Sequence, residues 1–281
     1  MPLLTFDPAG RKRRIGDVGT REGYLFDNRH DQAGQRLTAL AELFDPTTFR
    51  HLDALALASG HTVWEVGAGG PTVPRWLAQR VAPGGRVLAT DIDPRWLDGL
   101  GDTVEVRRHD LGRDEPPDGP FDVVHARLLL VHVPAREQAL AAMAAALRPG
   151  GWLLVEEADP DLQPLVCPDE AGPAQALANR LKNASRQLLL QRGVDLAYGR
   201  TLPRRLRQLG LVDVAADSYF PLSGPACARL EHASVTQLRD QLVVAGLATA
   251  ADVDAHLVNL AAGPLDLATS PLISVWGRRA A

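Results

Sequence analysis

The chemistry in this chain starts at a short glycine loop. Glu65, Gly67, Ala68 and Gly69 stand where the apolar run 62–66 stops and a helical pattern begins. Glycines at such a turn permit positive φ and let the backbone approach a ligand closely, while the N–H groups of the following helix favour polar or anionic atoms. A second signal lies 24 residues after Gly67, where the next apolar run closes on Asp91, the position from which an acid accepts ribose hydroxyls in folds of this kind. A third run ends near another acid, Asp110. A glycine loop and acids at successive strand ends describe a nucleoside site. The dinucleotide fingerprint would need glycine at position 72, which holds Thr72, and the phosphate loop GxxxxGK[ST] is absent.

These residues need a scaffold that delivers strand ends to one edge. Apolar runs at 62–66, 86–92, 104–109, 121–126, 152–156, 212–220 and 273–277 alternate with helical periodicity at 73–81, 135–147 and 202–209. Asp93 before Pro94 predicts a capped helix through Leu100. Two Pro-Gly-Gly turns, at 83–85 and 149–151, mark helix-to-strand junctions. Such alternation predicts βαβ units: an α/β, Rossmann-like, mostly parallel seven-stranded sheet with helices on both faces. Residues 1–36 read as an irregular tail, followed by one amphipathic helix from Leu37 to about Pro46 and another over 49–58. Two helical segments interrupt the pattern and predict a cap. The expected organisation is 1–49 N-terminal segment and lid, 50–158 nucleotide-binding core, 159–200 first insertion, 201–223 core continuation, 224–269 second insertion and 270–281 last core strand.

The ordered motifs resemble the class I S-adenosylmethionine-dependent methyltransferases. Glu65, Gly67 and Gly69 match the first motif of that family, E/D-x-G-x-G-x-G, with Pro71 in place of its third glycine, which removes one N–H and fixes φ. The segments 121–127 (FDVVHAR) and 147–155 (LRPGGWLLV) are similar to the fourth-strand motif and to the L-x-P-G-G motif before strand five. The resemblance implies S-adenosyl-L-methionine as cofactor and S-adenosyl-L-homocysteine as product. It places Asp91 on the ribose, Ile92 on an adenine face, Asp110 and Leu111 at the adenine amino group, and Ala126 and Arg127 beside the methionine part. Segments at 24–28, 32–36 and 274–279 are similar to actinobacterial natural-product methyltransferases, which implies Tyr24 or Arg36 near the cofactor carboxylate and a small-molecule acceptor methylated at oxygen, nitrogen or carbon.

Methyl transfer from a sulfonium is an in-line displacement with a good leaving group, so alignment and water exclusion carry most of the catalysis. A base is needed only if the acceptor keeps its proton until attack. His132, after the fourth strand, is the first candidate, since imidazole titrates near working pH; its plain alternative is a helix-start histidine bonded to backbone. Tyr24, His30, Glu157 and Asp159 are further candidates, and His125 is expected inside the fourth strand, facing a helix. No [DN]PP[FYW] signature follows that strand, and no acidic cluster calls for a metal.

Thirty Lys and Arg against thirty-four Asp and Glu leave a net charge of −4, so no overall field attracts a polyanion, and the run Arg11 to Arg14 reads as a solvated tail. Nucleic acid is therefore not an expected partner, and a homodimer is a candidate assembly. No stretch of eighteen apolar residues exists and residues 1–10 lack the apolar core of a signal peptide, from which a cytoplasmic location without membrane insertion is expected. Cys167 and Cys227 fit no metal or disulfide spacing and are expected as plain buried thiols. The rival readings are an RNA or protein methyltransferase, and a cofactor-binding protein that transfers no methyl group.

Overall fold

A computed structural model describes residues 4–6, 12–14, 26, 33–263 and 265–281 of the chain. Seven strands form one sheet: β3 (Thr62–Val66), β4 (Arg86–Asp91), β5 (Val104–Arg108), β6 (Phe121–Arg127), β7 (Leu147–Ala158), β8 (Val212–Tyr219) and β9 (Leu272–Arg278), after a short antiparallel pair β1 (Leu4–Phe6) and β2 (Lys12–Arg14). The sheet order is β5-β4-β3-β6-β7-β9-β8, and only β9 runs antiparallel to its neighbours. The chain enters this sheet at β3, third in the order, steps outward to β5, then returns across β3 to β6. That reversal opens a crevice beyond the carboxyl ends of β3 and β6, the switch point where such sheets bind ligands.

Both faces of the sheet are covered, which explains strands that read as continuous apolar runs. On one face, Trp64, Val124, Leu153 and Val155 pack with α3 (Arg136–Ala145) and α5 (Tyr198–Gln208). On the other, Val63, Val87, Val123 and Leu154 pack with α1 (Ala33–Ala54) and α2 (Thr72–Val81). The inserted helices α4 (Pro173–Gln191), α6 (Pro225–Val244) and α7 (Ala250–Ala262) pack on one another and on α1 through separate apolar clusters. Asn179 ties the first insertion to itself, accepting from Cys167 N at 2.8 Å and donating to Cys167 O at 2.9 Å. Both cysteines are free and buried.

Several local expectations are corrected. The two helices expected before residue 58 are one, α1, which continues through Pro46, so the boundary expected at 49/50 falls inside a helix. Proline there removes one N–H, yet burial of Phe44, Thr48, His51 and Leu52 against the core on either side keeps the helix running. The helix expected from Asp93 shrinks to a single 3₁₀ turn, Pro94–Trp96. Asp93 makes no side-chain cap, holding Arg95 instead, and Gly99 and Gly101 follow at φ of +71° and +78°. The turn expected at 149–151 lies inside β7 as an irregularity at which its pairing with β6 jumps from Phe121↔Leu147 to Val123↔Trp152. The tail expectation for 1–36 also fails at Leu4–Phe6 and Lys12–Arg14, which pair as β1 and β2, and from Ala33, where α1 starts. Among the described residues, no helix is long and apolar enough to cross a membrane.

Candidate active site

The glycine loop adopts the backbone that its composition calls for. Gly67 and Gly69 both have φ of +64°, and a Cβ on Gly67 would meet the side chain of Leu129 at 2.8 Å. Gly69 N donates to Asp91 Oδ2 at 2.9 Å and Asp93 N donates to Asp91 Oδ1 at 2.8 Å, so one carboxylate fastens the loop of β3 to the end of β4. Burial raises the Asp91 pKa above the usual carboxylate value against the opposing pull of these N–H groups. Asp110 holds its own turn, accepting from Gly112 N at 3.0 Å.

A cavity of about 490 Å³ opens over this loop, at the switch point of the sheet. Its lining includes Gly67, Ala68, Gly69, Asp91, Ile92, Asp110, Leu111, Arg36, Arg127 and His132, which brings together ten of the expected site residues. The cavity is large enough for a nucleoside with an amino-acid tail, and its floor is a backbone free of side-chain bulk with a carboxylate at the β4 end. These features fit S-adenosylmethionine. A second cavity, of about 180 Å³, lies between the sheet edge and helices α1, α4 and α6. It is mainly apolar, and Arg36, Leu40, Leu128 and His132 belong to the walls of both. The Arg36 guanidinium stacks over the Phe26 ring at 3.8 Å from its centroid.

Two expected cofactor residues do not reach the cavity. Glu65 points to the opposite face from its neighbours Trp64 and Val66, under α1, with its Oε2 2.6 Å from His125 Nδ1. Ala126 is fully buried in the core beside α3. Of the alternative bases, Glu157 is buried and accepts from Leu129 N at 2.9 Å and Leu130 N at 2.5 Å, outside both cavity linings. Burial pushes its pKa up to about 7 against those N–H groups. Asp159 is consumed by a bidentate pairing with Arg200. Tyr24 and His30 lie outside the described residues.

Beneath α1 lies a polar network that the sequence reading missed. His125 sits between Glu65 and Glu156, and Glu156 in turn bonds Thr48, His51 and Ser274. Arg127 donates to Thr48 Oγ1 and to Asp45 Oδ1, both at 2.8 Å, so a residue of the cavity wall is anchored to α1. Burial opposes charge on His125, but the two carboxylates outweigh it and raise its pKa to about 9. The same pairing, with His51 and Arg127 nearby, outweighs burial at Glu156 and holds its carboxyl well below the usual range. The available signal was polar residues at 65, 125 and 156 inside strands covered on both faces, because each buried polar group must find a partner.

Comparison with known proteins fits this geometry. A family model described as a methyltransferase domain matches residues 4–216. The chain belongs to this methyltransferase family. Its cofactor is S-adenosylmethionine, in agreement with the glycine loop, Asp91 and the cavity above them. Among curated proteins, the chain is 30% identical over 124 residues to the ubiquinone/menaquinone biosynthesis C-methyltransferase UbiE of Hahella chejuensis, covering 41% of this chain and 50% of that one. It is 30% identical over 127 residues to methyltransferase GfsG of Streptomyces halstedii, covering 42% and 45%. An uncharacterised 37.1 kDa protein from transposon Tn4556 of Streptomyces fradiae is 30% identical over 58% of this chain and 50% of its own length. The chain thus spans about half the length of the curated relatives that it matches. Among solved structures, YcgJ of Bacillus subtilis superposes with a TM-score of 0.52 at 13% identity, covering 82% of this chain and 97% of that one. A Haloferax volcanii complex with the Trm112 methyltransferase activator gives 0.54 at 15% identity, covering 90% and 99%. These superpositions show a shared fold.

Proposed function

We propose that this methyltransferase transfers the methyl group of S-adenosylmethionine to an oxygen, nitrogen or carbon of a small-molecule acceptor, a natural-product intermediate, held in the second cavity under α4 and α6. The observation that supports this reading is the wall common to both cavities, to which His132 and Arg36 belong. When bound, the cofactor supplies an electrophilic methyl group on sulfur. The chain supplies the rest. Loop 67–69 and Asp91 hold the nucleoside, Ile92, Asp110 and Leu111 frame the base, and Arg127, braced by Asp45 and Thr48, lines the methionine side. The apolar walls of the second cavity exclude water from the transfer, so alignment is not lost to solvent.

His132 is the base of this proposal for an acceptor that keeps its proton, since it is the imidazole that lines both spaces. The small size and apolar character of the second cavity support a small organic acceptor over an RNA or protein segment. The role of UbiE in ubiquinone and menaquinone biosynthesis and the likeness of the flanking segments to natural-product methyltransferases support the same class. The test is methyl-labelled cofactor incubated with a panel of small aromatic and polyketide-like hydroxy acids, bulk RNA and a cell protein extract. Label in a small molecule is the expected result. Label confined to RNA or protein, or no S-adenosylhomocysteine from any of the three, overturns the proposal.

A further inference from the structure

The second cavity is mainly apolar, and one stretch of its polar lining stands out. There Lys182 of α4 meets the segment leading into β9, its Nζ 3.5 Å from Ser270 Oγ, and Thr269 lines the cavity beside Ser270. Thr269 is 8% exposed, and its hydroxyl has no hydrogen-bond partner among the described residues. No carboxylate of the described residues comes within 4.0 Å of the Lys182 ammonium. Of the other charged groups on this cavity, Arg36 stacks on Phe26, and three more have partners of their own. Glu231 Oε1 is 3.2 Å from His256 Nε2, Arg186 pairs with Asp161, and Asp195 accepts from Ala197 N at 3.0 Å. Burial pulls the Lys182 pKa below the ordinary lysine value, with the field of Glu231 opposing.

An ammonium in an apolar cavity is costly unless an anion and further hydrogen bonds accompany it. Here Lys182, Ser270 and Thr269 line the cavity together, and one of the two hydroxyls has no partner among the described residues. We propose that Lys182, with Ser270 and Thr269, binds a carboxylate carried by the acceptor, so that the substrate is an organic acid whose apolar body fills the rest of the cavity and reaches toward His132. The inference rests on the proposed acceptor role of this cavity and names the functional group that it selects. A carboxylate accepts from the ammonium and both hydroxyls at once, which a neutral amide does less well and a hydrocarbon not at all.

The experiment uses the whole chain saturated with S-adenosylhomocysteine and matched probes: hexanoate and hexanamide, benzoate and benzamide, trans-cinnamate and cinnamamide. Lys12 and Lys182 are the only lysines, so selective isotope labelling of lysine gives two side-chain signals, one of them in the cavity. At least one carboxylate is expected to bind about 10- to 100-fold more tightly than its amide and to shift the Lys182 signal while leaving that of Lys12 in place. Lys182→Met should abolish the preference, and Lys182→Arg should restore most of it. Carboxylates that bind no better than their amides, or a preference that survives in Lys182→Met, overturn the inference while unchanged S-adenosylhomocysteine affinity leaves the methyltransferase reading standing. Failure of S-adenosylhomocysteine to bind removes the reading on which the inference depends, and the inference with it.

Discussion

His125 Nε2 and Glu156 Oε2 stand 3.3 Å apart on adjacent strands with neither side chain exposed to solvent. The pair lies at the centre of a polar seam joining β3, β6, β7 and β9 to α1. Removing one member of such a pair leaves an uncompensated charge in the interior. His125→Gln is therefore expected to destabilise the fold by about 3–5 kcal/mol at neutral pH, as read from urea unfolding midpoints.

The seam also sets a pH window. The folded pKa of His125, about 9, exceeds its ordinary 6.5, so its stabilisation is complete below pH 6.5 and is lost as pH rises through about 9. Glu156 has the opposite sign, contributing above its ordinary 4.5 and losing that contribution as pH falls through its depressed folded value. Unfolding midpoints measured from pH 4 to 10 should fall on the alkaline side in the wild type and stay flatter there in His125→Gln; parallel curves would count against the charged seam.

Glu157 carries a cost of the other kind. Its folded pKa of about 7 lies above the ordinary 4.5, so the fold loses stability as pH rises through this interval. A glutamine keeps an oxygen for the N–H groups of Leu129 and Leu130 and removes the charge. Glu157→Gln should be more stable than the wild type at pH 8, by up to about 3 kcal/mol, and equal to it at pH 4. A loss of stability at pH 8 would show that the ionised form is the one the fold prefers.

Cofactor affinity should depend on the loop and its carboxylate. Asp91→Ala removes the acceptor for Gly69 N as well as the proposed ribose contact, and Gly67→Val forces a side chain against Leu129 at a positive φ. Each should weaken S-adenosylhomocysteine binding about 10- to 100-fold by calorimetry. Glu65→Gln, away from the cavity, should change stability more than affinity.

At His132 the split runs the other way. His132→Ala should lower turnover by about 10²- to 10⁴-fold with S-adenosylhomocysteine affinity within about threefold of wild type, a margin worth only about 0.7 kcal/mol. Undiminished turnover would remove it as base.

Much of the sheet was legible in the sequence, because strands covered on both faces read as apolar runs and the glycine loop with Asp91 and Asp110 marks the ends that meet at the crevice. The continuous α1 was not. Pro46 reads locally as a stop, and only the sheet packed beneath it keeps the helix going. The polar seam was equally hidden, since Thr48, Glu65, His125, Glu156 and Ser274 are scattered along the chain. Sheet pairing, with Glu65↔His125 and Glu156↔Ser274 as direct partners, is what unites them. Glu65 was misplaced for that reason: motif spacing locates its Cα, whereas strand alternation decides which face its carboxylate enters.

Arg36, Leu40, Leu128 and His132 belong to two cavities at once. If the acceptor occupies the second cavity as proposed, it and the cofactor share these residues. Whatever factor S-adenosylhomocysteine imposes on acceptor affinity, the acceptor must impose on it in return, because the coupling is one free energy counted from either side. On the proposed reading, each site would then report on the occupancy of the other.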